Sequence, residues 1–322
     1  MRGRNKNKRT SAPPPSLALC RFNMKSHAIL IFVGFLVLLA FVGSTLNLDP
    51  TLQVVARAHQ EILQQLEQPT TRTTTTTMEV ATWTPKSKAR FCDPGTILDK
   101  ELMKSQEGED RDLINYFHNL CEGTYIEMGA LNGVTYSNTH VFHFGLQWKG
   151  VLVEASPRNY KELIENRKNE IATVHAGACA EARPLHWVEG SRPAVGGFME
   201  FTTKDFQDRW FTKEAIQNAA VVNCKPLKDI LLETVGPRFH FDLFSLDVEG
   251  AEYSALASLD FNQVSFGIIL VESDANSDER KNIAVRALIQ RNGYIFLKEH
   301  RRSYWFAHQD FADIYKDLIH KQ

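Results

Sequence analysis

The chain has 322 residues, of which 43% are hydrophobic, and its 37 basic and 38 acidic residues leave a formal net charge of −1. This length accommodates one α/β domain of about 200–250 residues together with appended segments. The near-neutral charge gives no electrostatic basis for binding nucleic acid, so we expect no nucleic-acid partner.

The N-terminal segment has the features of a membrane anchor. Residues 1–27 form a basic tail without a single acid, and residues 28–46 then carry no charge at all. An apolar run of this length spans the roughly 30 Å core of a bilayer. Because the basic residues precede the span, the positive-inside rule predicts a type II protein of the Golgi or ER membrane, with a cytosolic tail and a lumenal C-terminal part. The alternative is a signal peptide cleaved near Gly43-Ser44.

Residues 47–90 resemble a stem. They include a tract of threonines flanked by Pro69 and Pro85, which cannot bury enough apolar surface to fold and is typical of an O-glycosylated stalk. A bare linker is the alternative. We therefore assign residues 91–322 to the globular domain, with a cap over residues 91–122.

A strand followed by a glycine turn opens the domain proper. The sequence from Thr124 to Asn138 has a short β-prone run that ends on Glu127, followed by Gly129 and Gly133 and then by a segment that can form a helix. Such turns let the backbone approach a ligand, and the first helical turn offers free N–H groups to it. Neither a P-loop nor the pattern G-x-G-x-x-G is present, so the turn predicts a nucleotide-like cofactor without naming it. An ordinary strand-to-helix turn is the alternative.

Further strands alternate with helical segments along the domain. Apolar strands are predicted at 150–155, 171–178, 241–248 and 266–272, and a closing pair lies at 294–298 and 303–307. This alternation predicts a parallel sheet with right-handed crossovers and one antiparallel strand at its end. The fold class is therefore α/β, a Rossmann-like seven-stranded sheet of the class I methyltransferase type with the expected strand order 3-2-1-4-5-7-6.

Acidic residues occupy the ends of the predicted strands, where ligands of such sheets bind. Glu127, Glu154, Asp247 and Glu272 hold these positions. Glu154 lies 21 residues beyond Gly133, and an acid after the second strand is placed to accept hydrogen bonds from ribose hydroxyls. A helix cap or a surface charge is the alternative for each acid taken singly.

Three stretches give the domain a more specific likeness. Residues 127–133 read Glu-Met-Gly-Ala-Leu-Asn-Gly, residues 152–157 read Leu-Val-Glu-Ala-Ser-Pro, and residues 245–252 read Ser-Leu-Asp-Val-Glu-Gly-Ala-Glu. Together they resemble the FkbM family of S-adenosylmethionine-dependent methyltransferases, over roughly residues 124–307. Many bacterial members have the loop asparagine one place earlier, whereas the longer loop sequence of this chain is similar to that of eukaryotic membrane-anchored members. These include relatives of the insect Star protein, for which catalysis is not the accepted role.

The resemblance implies O-methylation, typically of sugar hydroxyls, with S-adenosyl-L-methionine as cofactor. It implies that the glycine loop approaches the methionine part of the cofactor, that Glu127 orients the loop or the amino group of the cofactor, and that Glu154 holds the ribose. It places Asp247 and Glu249 beside the transferring methyl group, one of them as the base, with His175 and His186 as alternative bases. No tight cluster requires a metal, although Asp247 and Glu249 could in principle hold one. The expected cofactor contacts are Glu127, Gly129, Ala130, Asn132, Gly133, Tyr136, Ser137, Asn138, Glu154, Ala155 and Asp247.

An insertion interrupts the pattern at residues 181–225. It contains six large aromatic residues, and we expect it to form the acceptor site for a glycan or glycoconjugate, because aromatic faces pack on sugar rings. Core packing is the alternative for each ring. Four cysteines of the domain allow three pairings in an oxidising lumen. We favour Cys179–Cys224 and Cys92–Cys121, with free thiols as the alternative.

Two hypotheses therefore follow from the sequence. The first is an anchored Golgi or ER O-methyltransferase, and the second is a non-catalytic binding or trafficking factor on the same scaffold. The intact acids and glycines favour the enzyme, although a fold alone does not decide a function. The oligomeric state is left open.

Overall fold

The structure is a computed structural model that describes residues 85–88, 90–92, 99–117, 120–192, 194–273 and 279–315. The predicted tail, membrane span and nearly all of the predicted stem lie outside these residues. Among the residues described, no helix combines the length and the apolar character needed to cross a bilayer.

Thirteen strands and nine α-helices lie in the described part of the chain. The strands are β1 (Arg90–Phe91), β2 (Leu120–Cys121), β3 (Thr124–Met128), β4 (Lys149–Glu154), β5 (Ala172–His175), β6 (Gly177–Ala178), β7 (Arg183–Glu189), β8 (Gly196–Phe198), β9 (Ala220–Lys225), β10 (Phe239–Leu246), β11 (Val264–Glu272), β12 (Tyr294–His300) and β13 (Ser303–His308). The helices are α1 (Glu109–Phe117), α2 (His140–Leu146), α3 (Pro157–Asn166), α4 (Lys204–Trp210), α5 (Lys213–Gln217), α6 (Leu227–Val235), α7 (Glu252–Ala257), α8 (Glu279–Arg291) and α9 (Phe311–Ile314).

Seven strands form the main sheet, in the order β5-β4-β3-β10-β11-β13-β12. In whole-chain numbering this differs from the expected order, because the chain has further strands outside this sheet. Counted within the sheet alone, the same arrangement reads 3-2-1-4-5-7-6. Strands β5, β4, β3, β10 and β11 pair in parallel, and β13 pairs antiparallel with both β11 and β12. The switch point lies between β3 and β10, where the chain order reverses.

Helices cover both faces of this sheet, as the continuous apolar strands predict. Successive residues of β11 alternate between two cores: Ile269 and Val271 pack with α6, α7 and α8, whereas Ile268 and Leu270 pack with α1, α2 and α3. This alternation is the period of two expected of a strand buried on both sides. The two cores hold the carboxyl ends of the parallel strands together along one edge.

The insertion forms a second sheet in place of an irregular loop. Its four strands have the order β6-β9-β7-β8, with β6 and β9 in parallel and the other pairs antiparallel. The predicted third strand therefore divides, with β5 in the main sheet and β6 in the small one. Both favoured disulfides are confirmed: Cys179–Cys224 joins β9 to the residue after β6, and Cys92–Cys121 ties the cap to β2.

Local signals set several helix boundaries. Ser156 begins α3 by accepting a hydrogen bond from the Asn159 amide, and Pro157 occupies the first turn, as the Ser-Pro pair predicts. Helix α2 begins only at His140. Residues 137–139 are instead held in the loop by their hydrogen bonds to Glu127.

Candidate active site

The glycine loop after β3 turns tightly against the end of β10. Gly129 has a φ of +80°, and a Cβ built on it would lie 1.8 Å from the backbone oxygen of Asp247. The Asp247 amide donates to the Met128 carbonyl at 3.0 Å, so the two strand ends remain paired through this approach. Glycine is therefore required here both by conformation and by space.

Glu127 organises the far side of the same loop from a buried position. Its carboxylate accepts hydrogen bonds from the Ser137 hydroxyl at 2.8 Å, the Asn138 amide at 2.7 Å and the Thr139 hydroxyl at 2.6 Å. Burial raises the pKa of this carboxyl, against the opposing effects of Arg167 and of the three donors. The predicted role of Glu127 in orienting the loop agrees with these contacts.

Glu154 bridges the loop to the next strand. One of its oxygens accepts from the Leu131 amide at 2.8 Å and the other from the Ser156 amide at 2.7 Å. The side chain is buried, and burial raises its pKa to about 8. In this arrangement Glu154 supports the loop from behind and does not line the cleft, so its contact with a ribose stays a prediction.

Asn132 shapes the loop through its side chain. Its carbonyl oxygen accepts from the amides of Val134 and Thr135, and its amide group donates to Glu162 at 3.1 Å. Asn138 links the loop to β10 by donating to the Ser245 hydroxyl at 3.0 Å. Both residues also line the cleft described next.

A cleft of about 1220 Å³ opens at the carboxyl ends of β3, β10 and β11. Six of the expected cofactor contacts line it, as does the predicted catalytic residue Glu249; the six are Glu127, Gly129, Asn132, Tyr136, Asn138 and Asp247. Ala130, Gly133, Ser137 and Glu154 do not line it and instead support the loop. Ala155 lines a small neighbouring cavity together with Gly129 and Trp187.

Three carboxyl groups converge at the centre of this cleft. Asp247, Glu249 and Glu272 each place an oxygen within 4.8 Å of the others. Burial, reinforced by the neighbouring Asp247 carboxylate and a hydrogen bond to it, raises the pKa of Glu272 well above its ordinary value. The Arg302 guanidinium pairs with Glu272 and opposes this shift.

The alternative role of Asp247 or Glu249 as a helix cap is wrong. Neither side chain caps α7, because Glu252 accepts from the amides of Val248 at 3.2 Å and Gly250 at 3.0 Å. The non-glycine residue Glu249 adopts a φ of +51° in this turn. The turn thus directs both acids to the cleft rather than to the helix.

The alternative histidine bases lie away from the cleft. His175 is exposed and stacks on Tyr160, with 4.8 Å between the ring centroids. His186 is exposed and pairs with Glu200 at 2.8 Å. Neither residue lines the cleft, so the structure does not bring either imidazole to the carboxyl cluster.

Arg167 was not expected from the sequence, and it lies fully buried beneath the glycine loop. Its guanidinium donates to the Gly133 carbonyl at 2.8 Å, to the Thr139 hydroxyl at 3.1 Å and to Glu170 at 2.7 Å. A Cβ on Gly133 would lie 2.5 Å from the Arg167 side chain, so the second glycine makes room for this arginine. A lone arginine after a helix carries no sequence signal of burial.

The sheet, the glycine loop and the acids at the strand ends define a methyltransferase-like α/β protein. The Methyltransferase FkbM domain model matches residues 127–296, which is 170 of the 322 residues. The chain belongs to the FkbM methyltransferase family. No curated protein matches it.

Several solved structures are similar at low identity. Methyltransferase FkbM from Methylobacillus flagellatus KT is 13% identical over 58% of this chain, with a TM-score of 0.35, and the chain spans 44% of its length. A cofactor-bound Rv0187 from MTB is 16% identical, covering 66% of this chain and 84% of its own, with a TM-score of 0.35. A TehB-like SAM-dependent methyltransferase from Corynebacterium glutamicum is 10% identical. The match covers 63% of this chain and 89% of that protein, with a TM-score of 0.33. Similarities of this size carry no argument about the function of the chain.

Proposed function

We propose that the protein is an S-adenosylmethionine-dependent O-methyltransferase that acts on a hydroxyl group of a glycan or glycoconjugate in the secretory pathway. The observation that carries this proposal is the convergence of Asp247, Glu249 and Glu272 beside the Gly129 turn, inside a cleft at the switch point of the sheet. The predicted membrane span and stem support the secretory location.

The residues of the cleft fit the cofactor chemically. S-adenosylmethionine has a cationic sulfonium and an ammonium group, and the cleft wall beside the glycine loop is lined by the carboxyl groups of Glu127, Asp247 and Glu249. The volume of the cleft lies above the usual range for ligand pockets, so it has room for a cofactor and part of an acceptor. Gly129 brings the backbone close to this space without a side chain. When bound, the cofactor supplies an electrophilic methyl group.

The carboxyl cluster provides a base for the acceptor hydroxyl. Asp247 is exposed at the cleft, beside the carboxyl group of Glu272. It accepts the hydroxyl proton as the oxygen becomes nucleophilic, and general-base catalysis of this kind contributes roughly 10²–10⁴-fold. Glu249 lies close enough to take the same role and is the alternative base.

The test is calorimetric titration of the full-length protein, in a non-ionic detergent, with S-adenosylmethionine. We expect saturable binding, and Glu154→Ala should weaken it because the loop loses its anchor at Leu131. Asp208→Asn serves as the matched control, since this exposed acid on α4 pairs with Lys204 away from the cleft. Absence of binding at millimolar cofactor would sink the enzyme proposal and favour the second hypothesis, a non-catalytic trafficking or binding factor on this scaffold.

A further inference from the structure

The insertion contributes positive charge to the cleft. Arg192, in the turn between β7 and β8, and Arg209, in α4, both lie over the ring of Trp210. The guanidinium carbons are 5.4 and 4.9 Å from the ring centroid. All three residues line the cleft. A guanidinium stacked on an aromatic ring keeps its N–H edge available for a ligand.

These two guanidinium groups have no acidic partner within 4.0 Å among the described residues. The other arginines of the cleft do: Arg302 pairs with Glu272, and Arg301 lies 3.8 Å from Glu107. Asp205, four residues before Arg209 on α4, shares a neighbouring cavity with Arg209 but forms no ion pair with it. Arg192 and Arg209 are both exposed, so each offers its charge to a molecule that enters the cleft.

The aromatic rings of the insertion have mostly another role. Phe198 belongs to the small core of the second sheet, with Trp187 and Phe201 packed against it, and Phe206 packs edge-on against Phe211 at 5.6 Å. The ring of Trp210 is covered by the two arginines. The insertion therefore meets the cleft with guanidinium groups more than with the bare aromatic faces expected from the sequence.

The two walls of the cleft thus differ in charge. The sheet wall presents Asp247, Glu249 and Glu272, and the insertion wall presents Arg192 and Arg209. An acceptor suited to this arrangement has a hydroxyl to donate to the acids and an oxoanion to receive two arginines. Bidentate arginine contacts with carboxylates or sulfates are among the strongest polar contacts in proteins.

We propose that Arg192, Arg209 and Trp210 form an oxoanion subsite that selects an acidic polysaccharide, carrying carboxylate or sulfate groups, as the acceptor. This inference rests on the proposed function, because it names the acceptor class of the same cleft. Arginine recognises carboxylate and sulfate through the same contacts, and the choice of polymer in the experiment distinguishes the two anions.

The experiment measures binding of three polymers to the full-length protein in about 0.15 M salt, where non-specific charge attraction is screened beyond roughly 8 Å. Dextran sulfate tests sulfate, polygalacturonate tests carboxylate, and dextran is the neutral reference. We expect at least one anionic polymer to bind about tenfold or more tightly than dextran. Equal binding of all three polymers by the wild-type protein would overturn the inference.

The variants separate the subsite from general charge. The double substitution Arg192→Gln and Arg209→Gln should lower the affinity for the anionic polymer about tenfold or more, whereas Arg183→Gln, an exposed residue of β7 outside the cleft, should leave it within about twofold. Lysine at both positions should restore part of the loss, since it keeps the charge without the planar fork. Wild-type affinity in the glutamine double variant, or an equal loss in Arg183→Gln, would refute the subsite.

Titration with S-adenosylmethionine in the same variants keeps the two proposals distinguishable. We expect cofactor affinity to be unchanged in the glutamine double variant, and this also reports that the variant is folded. Cofactor binding without preference for anionic polymers contradicts the subsite alone. Absence of S-adenosylmethionine binding by the wild-type protein contradicts the proposed function itself.

Discussion

Gly129 and Asp247 approach so closely that a Cβ on the glycine would lie 1.8 Å from the aspartate backbone oxygen. This contact joins the first and fourth strands of the sheet at the switch point, where the cofactor loop and the proposed base meet. Any side chain at position 129 must therefore displace the residue that does the proposed chemistry. The position of Asp247 and the conformation of the glycine loop therefore depend on each other.

The first prediction concerns this contact. Gly129→Ala should lower cofactor affinity at least tenfold, because the backbone of Asp247 must move. Gly236→Ala is the matched control: it has a similar φ of +77°, but its added Cβ meets no atom within 4 Å. The control should cost only its strained backbone conformation, with φ +77° and ψ −174°, about 1–3 kcal/mol of unfolding free energy, and leave cofactor affinity intact. Equal effects of the two substitutions on affinity would show that space at position 129 does not matter.

The second prediction assigns the base. Asp247→Asn should preserve S-adenosylmethionine binding and lower methyl transfer by roughly 10²–10⁴-fold, because the amide cannot accept the hydroxyl proton. Release of S-adenosylhomocysteine in the presence of an acceptor is the measurement. Glu249→Gln is the companion variant and should retain most of the turnover. If Glu249→Gln loses turnover and Asp247→Asn retains it, Glu249 is the base.

The third prediction concerns the buried arginine under the loop. Arg167→Met should lower the free energy of unfolding by about 3–5 kcal/mol, because it leaves Glu170 buried without its cation. Lys168→Met, at the adjacent exposed position, removes a surface pair with Glu165 and should leave the free energy of unfolding nearly unchanged. Denaturant titration of both variants is the test. A similar loss of unfolding free energy in the two variants would show that Arg167 does not stabilise the loop.

The fourth prediction is a pH dependence of stability. Because burial raises the pKa of Glu154 from 4.5 to about 8, the unfolded chain releases this proton at a lower pH than the folded protein does. The contribution of Glu154 is thus most favourable below about pH 4.5 and declines as the pH rises towards 8. Other buried acids, Glu127 and Glu252 among them, share this direction.

A comparison of variants isolates the contribution of Glu154. The melting temperature of wild-type protein should fall more between pH 5 and pH 8 than that of Glu154→Gln, which has no proton to release. Glu181→Gln, at an exposed position with no such burial, is the control and should follow the wild-type trend. Parallel curves for wild type and Glu154→Gln would mean that Glu154 is ionised in the folded protein throughout this range.

Much of the fold follows from local patterns in the chain. Continuous apolar runs predicted the parallel strands, the short connection at residues 299–302 predicted the antiparallel pair, and Ser156-Pro157 predicted the start of α3. These signals are readable because they depend on neighbouring residues. The same holds for the acids at strand ends, since parallel strands bring their carboxyl ends to one edge.

The sequence by itself therefore determined the family, the sheet, the glycine loop and the set of acids from which the site is built. Only the tertiary structure decided how these groups are used: Glu154 supports the loop from behind, Glu252 accepts from the amides of the turn before α7, and Glu272 joins the carboxyl cluster. It also decided the burial of Arg167 and the meeting of Arg192 with Arg209 over Trp210. The physical reason is that burial and contact between residues distant in the chain set the charge state and the partners of a side chain, and no local pattern encodes either.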